Sequence, residues 1–224
     1  MENDPANSNY IIAFGSAAAG ALFGSVSTYV LGRRQQKLDE DNRRHGALIN
    51  TQFALFSQVK VVDGLKANYL DPVRDEPDRF TKLGVTVFIK SPLNVPLNEL
   101  AFIASSKSPN LIQEISDAEQ SYLKTLQVLD LFNQFHIEFE KTHSPIPGTL
   151  NPAKLQPTAH VIADKLEIKL LKFYVDNIYK EVDLATPKLY QTIEKVSEFI
   201  KQNFKGKKAI KIESEKGVHT ARHP

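Results

Sequence analysis

The first pattern along this chain is an interruption of polarity. Between Asp4 and Arg33 no residue is charged, and small side chains recur at every fourth position. Ser16, Gly20, Gly24, Thr28 and Gly32 form one ridge, and Ala13, Ala17, Ala21 and Ser25 form its neighbour. About 20 apolar residues on a helix cross a bilayer, and a small-residue ridge lets two such helices approach closely. The pattern predicts a transmembrane helix over 10–32, preceded by a short extracytoplasmic N-terminus over 1–9. A buried alanine-rich core helix is the bland alternative, but the uncharged run is long for one. A cleaved signal peptide wants a basic leader, and here Glu2 and Asp4 precede the run.

The second pattern is helical. Residues 33–46, rich in Arg, Gln, Asp and Glu, are polar all round and predict a solvated helical connector. From Ala47 the chain turns apolar, and Leu48, Gln52, Leu55, Val59, Val62, Lys66 and Tyr69 fall on an imperfect heptad seam. Phe53 and Phe56 widen that face, so Phe53, Phe56, Val59 and Val62 are candidates for core or partner packing. Asp71-Pro72 ends the helix, and DPVRDEPDRF predicts a loop.

Gly84 to Lys90, GVTVFIK, is the one convincing strand-like run. It either pairs with Ala209 to Glu213, AIKIE, giving at most one short strand pair, or is simply extended. A short helix is expected over 96–104. Ser108-Pro109 then predicts a cap and first position for a long helix striped by Leu111, Ile115, Tyr122, Leu126, Leu129, Phe132, Phe135 and Phe139. The proline-rich stretch 143–157 predicts a loop, and 158–184 a further helix. Thr186-Pro187 repeats the cap-plus-proline signature and predicts a separate last helix carrying Leu189, Ile193, Val196, Ile200 and Phe204. The expected fold is all-α: a membrane anchor, a bundle domain of four or five helices over 47–204, and a basic, partly disordered tail over 205–224.

Composition changes this picture little. A chain of 224 residues with 42% hydrophobic and 24% charged residues has globular character outside the anchor. A net charge of +2 excludes a general polyanion-binding role. The absence of cysteine removes disulfides, thiolate metal sites and cysteine nucleophiles. Charge distribution matters more. Arg33, Arg34 and Lys37 flank the apolar run on one side, so the positive-inside rule puts the bundle in the cytoplasm and the N-terminus outside. This is the arrangement of a single-pass protein of a bacterial inner membrane.

From Lys201 to Pro224 seven Lys and Arg stand against two Glu, a local charge of +5 with His neutral. Lys201, Lys205, Lys207, Lys208 and Lys211 concentrate it and are candidates for contact with anionic lipid or an acidic partner. No aromatic stands between Lys205 and Lys211, which argues against nucleic acid.

Two arrays invite a metal reading. His136, Glu140 and His143 recur at i, i+4, i+7, and His160, Asp164 and Glu167 repeat that spacing after the loop. Helical bundles build carboxylate-histidine sites from such arrays, but no Glu-x-x-His pair is present, and solvated helix ends explain the same residues. The sequence contains no glycine-rich phosphate loop and no Gly-x-Ser-x-Gly elbow. It calls for no cofactor and no catalytic residue. The expected function is a membrane-anchored scaffold or interaction subunit. It would use the bilayer, further copies of itself or another membrane protein as partners. An oligomeric pore and a membrane-tethered metal enzyme are the alternatives.

Overall fold

In the computed structural model the described backbone covers residues 5–87, 91, 93–143, 165–204 and 206–210. The side chains of residues 5–22, 143 and 165 fall outside the description. Every regular element among the described residues is helical. Helix α1 runs Pro5–Leu65 and ends in a π turn, Lys66–Leu70, and a 3₁₀ turn, Asp71–Val73. Short α2, Arg79–Lys82, and a 3₁₀ segment, Leu97–Ser105, precede the long helices α3, Asn110–His143, and α4, Lys165–Asn203. Contacts divide the chain into one unit over Met1–Gly46 and another over Ala47–Pro224.

The second unit is a bundle built on heptad seams. On α1 the seam positions Leu48, Gln52, Leu55, Val59 and Val62 are all fully buried. On α3 the buried positions step by four and three from Leu111 through Ile115, Ala118, Tyr122, Thr125, Leu129, Phe132 and His136 to Phe139. On α4 the same steps lead from Leu171 through Val175, Ile178, Val182, Ala185, Leu189, Thr192 and Val196 to Phe199. A sustained 3–4 repeat keeps one stripe of a helix turned toward its neighbours. Buried hydroxyls bond within their own helices: Thr51 donates to the Ala47 carbonyl, Thr125 to Ser121 and Thr192 to Lys188. Three polar residues are thereby buried with their hydroxyls satisfied.

Cross-helix bonds fix direction. Gln52 donates to Ser197 at 2.6 Å, Tyr190 to Asp63 at 2.6 Å, and the Tyr179 hydroxyl to the Leu70 carbonyl at 2.8 Å. Rising numbers on one side meet falling numbers on the other, so the end of α1 and α4 are antiparallel. Lys195–Glu114 at 2.6 Å and Lys124–Glu181 at 2.9 Å show the same for α3 and α4.

One sequence expectation fails here. The break at Thr186-Pro187 is absent, because Pro187 lies inside α4. Proline within a helix costs about 3 kcal/mol. Continuing the helix buries Leu189, Ile193, Val196 and Ile200 beside Val182, at about 1.5–3 kcal/mol for each large side chain. Burial wins. Pro187 stands off the seam, and the Thr186 hydroxyl donates to the Val182 carbonyl at 3.0 Å instead of capping a new helix. The start of α3 falls at Asn110, two residues after the expected cap. The expected helix over 158–164 lies outside the described residues.

The expected strand pair is only partly covered: residues 84–87 form no strand, and residues 88–90 and 211–213 lie outside the described residues. The described part of the expected partner sits elsewhere: the Ile210 amide donates to the Gln52 side chain at 3.2 Å, beside Ser197. Side chains take the place of a neighbouring strand. Asn133 of α3 accepts from the Thr86 amide at 3.1 Å and donates to the Thr86 carbonyl at 2.8 Å. A carboxamide carries one acceptor and one donor set, as a peptide group does.

Further along this strap Tyr69 donates to the Gly84 carbonyl, Tyr122 accepts from the Ser91 amide at 2.7 Å, and Glu119 accepts from Val95 at 2.9 Å. Burial pushes the Tyr69 hydroxyl well above its ordinary range, which keeps it a donor. Replacing Asn133 with Ala should leave both Thr86 groups unpaired and cost about 1–2 kcal/mol. Denaturant titration reads the loss, and amide exchange should quicken at 84–87 before it does in the helices.

Candidate functional site

The ridge predicted for membrane packing falls on the first part of α1, where fourfold spacing places its members on one helix face. Its described members are Gly24, Thr28 and Gly32; the side-chain positions of Ser16 and Gly20 lie outside the described residues. A Cβ added at Gly24 or Gly32 would meet nothing within 4 Å. The Thr28 hydroxyl donates to the Gly24 carbonyl at 2.8 Å, so the ridge's polar group is satisfied inside its own helix. Large apolar side chains around it are open: Phe23 is 76% exposed, Tyr29 63% and Leu31 63%. Arg33 lies over the Tyr29 ring, its guanidinium carbon 5.7 Å from the centroid. Among the described residues no helix is long and apolar enough to cross a membrane. Residues 10–22 of the predicted span contribute no described side chain.

The second set divides by burial. Val59 and Val62 are sealed in the core and Phe56 packs half-buried against it, whereas Phe53 is 50% exposed. In the basic set Lys201 and Lys208 are exposed, and the Lys207 ammonium stands 5.7 Å from the Phe204 ring centroid. Lys205 and Lys211 lie outside the described residues. Gly206 adopts φ of 81°, a left-handed turn that ends α4 and returns the chain to α1.

The metal reading loses its first ligand. His136 occupies a seam position, 5% exposed, with the rings of Phe132 and Phe139 at 5.4 and 6.4 Å. Its neighbour Glu140 is exposed, and the two are in different environments. Glu140 Oε1 lies 3.4 Å from Nδ1, yet Nδ1 has no hydrogen-bond partner. The His143 side chain, His160 and Asp164 lie outside the described residues; Glu167 is half-buried at the start of α4. No cluster of metal-binding residues occurs among the described side chains.

Sequence reasoning missed an ionic staple. Arg74 makes a bidentate pair with Asp183 at 2.9 and 3.0 Å and bonds Asp71 at 3.0 Å. Arg79 bonds Asp176 at 2.6 Å, and both guanidinium carbons lie within 4.9 Å of the Tyr179 ring centroid. Arg74 holds the Asp183 carboxyl below its usual range. Asp176 and Asp183 stand seven apart on α4, which was the available signal. These partners neutralise one another and tie the 71–82 segment to α4, a structural role.

A groove of about 640 Å³ between α3 and α4 is lined in part by Leu123, Lys124, Gln127, Glu181, Leu184 and Lys188. Lys124 and Glu181 pair across it at 2.9 Å. No protein-family model matches the chain, and no curated protein or solved structure is similar to it at a significant level.

His136 generates a pH dependence. Burial lowers its pKa below the ordinary 6.5, with the Glu140 charge and a hydrogen bond to the Leu83 backbone opposing. The folded form keeps the ring neutral, while the unfolded chain protonates near 6.5. Stability should be full above about 6.5 and fall as pH drops from there toward the folded value. Urea titrations of the wild type and His136→Leu across that window should differ in slope, the variant being flatter.

Proposed function

We propose that the chain is a single-pass membrane-anchored scaffold whose helical bundle engages partners on the cytoplasmic side. The uncharged run from Pro5 to Gly32 supports the anchor, and the basic flank at Arg33, Arg34 and Lys37 supports the orientation. The observation carrying this reading is the exposed apolar surface at the end of that run. Phe23, Val26, Tyr29 and Leu31, each more than half exposed, make an unfavourable surface in water. In lipid the same surface needs no cover. Thr28 bonded to Gly24 removes the one described hydroxyl that would oppose insertion along the ridge.

Self-association follows from the ridge. Lipid gives helices no hydrophobic reason to associate, so close approach of backbones must supply the attraction. Gly24 and Gly32 leave open space on the helix surface for a second helix.

Membranes bearing the full chain and washed at alkaline pH should retain it; release into the wash would overturn the anchor. Gly24→Leu strains nothing within the single chain. It should nonetheless lower the oligomer mass measured in mild detergent, and an unchanged mass would remove the ridge from the assembly.

A further inference from the structure

We propose that His136 is a proton-operated latch on the strap. Proton uptake at Nδ1 swings the ring out toward Glu140, frees Leu83, and opens residues 83–86 while the long helices stay packed. The placing of hydrogen-bond acceptors carries this. Nδ1 is buried and has no hydrogen-bond partner, so the bond from the ring to the Leu83 carbonyl is made by Nε2–H. The Nδ1 lone pair then lies 3.4 Å from Glu140 Oε1, two acceptors with no donor between them. One proton converts that contact into a charge-assisted hydrogen bond.

The latch occupies a single turn of α3. Asn133 and His136 stand three apart on one helix face and hold Thr86 and Leu83, while Tyr69 holds Gly84 between them. The proton cannot be absorbed with the ring in place. The imidazole is 5% exposed beside the rings of Phe132 and Phe139, where a cation loses its water. Burial outweighs the Glu140 charge there and holds the ring's pKa below the ordinary value. Glu140 is exposed, so one outward movement gives the charged ring both water and a counter-charge. That movement takes Nε2 off Leu83.

The other charges around the strap are committed elsewhere. On the segment before Leu83, Arg79 is bonded to Asp176 of α4, and Lys82 pairs with Glu76 and Asp78. On α4, Lys172 stands 4.5 Å from the Phe80 ring centroid, and Tyr174 packs on Phe135. At the end of α1 the Tyr69 hydroxyl is taken by Gly84. Among the described residues Glu140 is the charge that acts on the imidazole. The latch is a property of the bundle and does not rest on the membrane reading.

With the strap open the ring protonates near the ordinary 6.5, and with it closed at a lower pH, so acid below about 6.5 promotes opening. Amide exchange of the full chain, followed by NMR from about pH 7 to 5 and corrected for the intrinsic rate, reads this directly. The Thr86 amide should lose up to about tenfold in protection per pH unit, the slope for one proton taken up per opening. The Leu129 and Ile178 amides should stay at least about a hundredfold better protected throughout. His136→Phe keeps a ring on the seam and leaves the other five histidines in place, and its Thr86 exchange should not depend on pH. Glu140→Gln leaves the seam untouched and should shift the pH profile of Thr86 toward lower pH, because the charged ring loses its catch. Thr86 protection that is flat with pH in the wild type, or equally pH-dependent in His136→Phe, would overturn the latch. Exchange of Thr86 and Leu129 at one common rate would overturn it as well, as would a Glu140→Gln profile left in place or moved to higher pH.

Discussion

The unbroken 3–4 spacing of buried positions on α1, α3 and α4 is the constraint on which the rest of this structure depends. Three seams bury Leu55, Leu129, Ile178 and their neighbours, and Leu100 and Ile103 of the 3₁₀ segment join the same core. Antiparallel placement of α4 against both others follows from the short ionic and hydroxyl ties along its length. Once the seams meet, the segment between α1 and α3 must return along the bundle, and it does so as a strap held by side chains of α3 and by the Arg74 and Arg79 pairs to α4.

Local preferences yield to that constraint in two places. Pro187 remains inside α4 because the residues beyond it belong to the same buried stripe as those before it. His136 is taken into the core because it falls on the seam between Phe132 and Phe139, leaving Nδ1 unpartnered. Polar groups elsewhere on the seams avoid such a cost by bonding to their own helices or, for Gln52, by serving both Ser197 and Ile210.

These cases mark how far the sequence could be read. The α1 seam was legible from Leu48 to Val62, since apolar residues at regular spacing have few other uses. The helical bundle was legible for the same reason. The continuity of α4 was not, because cap-plus-proline is a local signal and burial of Leu189 to Ile200 is a tertiary one. His136 was misread through its spacing to Glu140 and His143. Counting back by fours and threes from Phe139 would have placed it on the seam. Asn133 gave no sign at all: a polar residue on a helix reveals nothing of a peptide group waiting beside it. The ridge was legible as a pattern, whereas the staple on Arg74 required tertiary structure.

The central claim is that the uncharged first part of α1 belongs in a bilayer, with the bundle on the cytoplasmic side. Its most direct measurement is site-specific labelling in intact bacterial cells with a membrane-impermeant thiol reagent, exploiting the cysteine-free background. One cysteine is placed within residues 1–9 and another at exposed Lys60. The account predicts labelling of the first in intact cells and of the second only after lysis. Labelling of Lys60→Cys in intact cells, or protection of both sites until lysis, would contradict it.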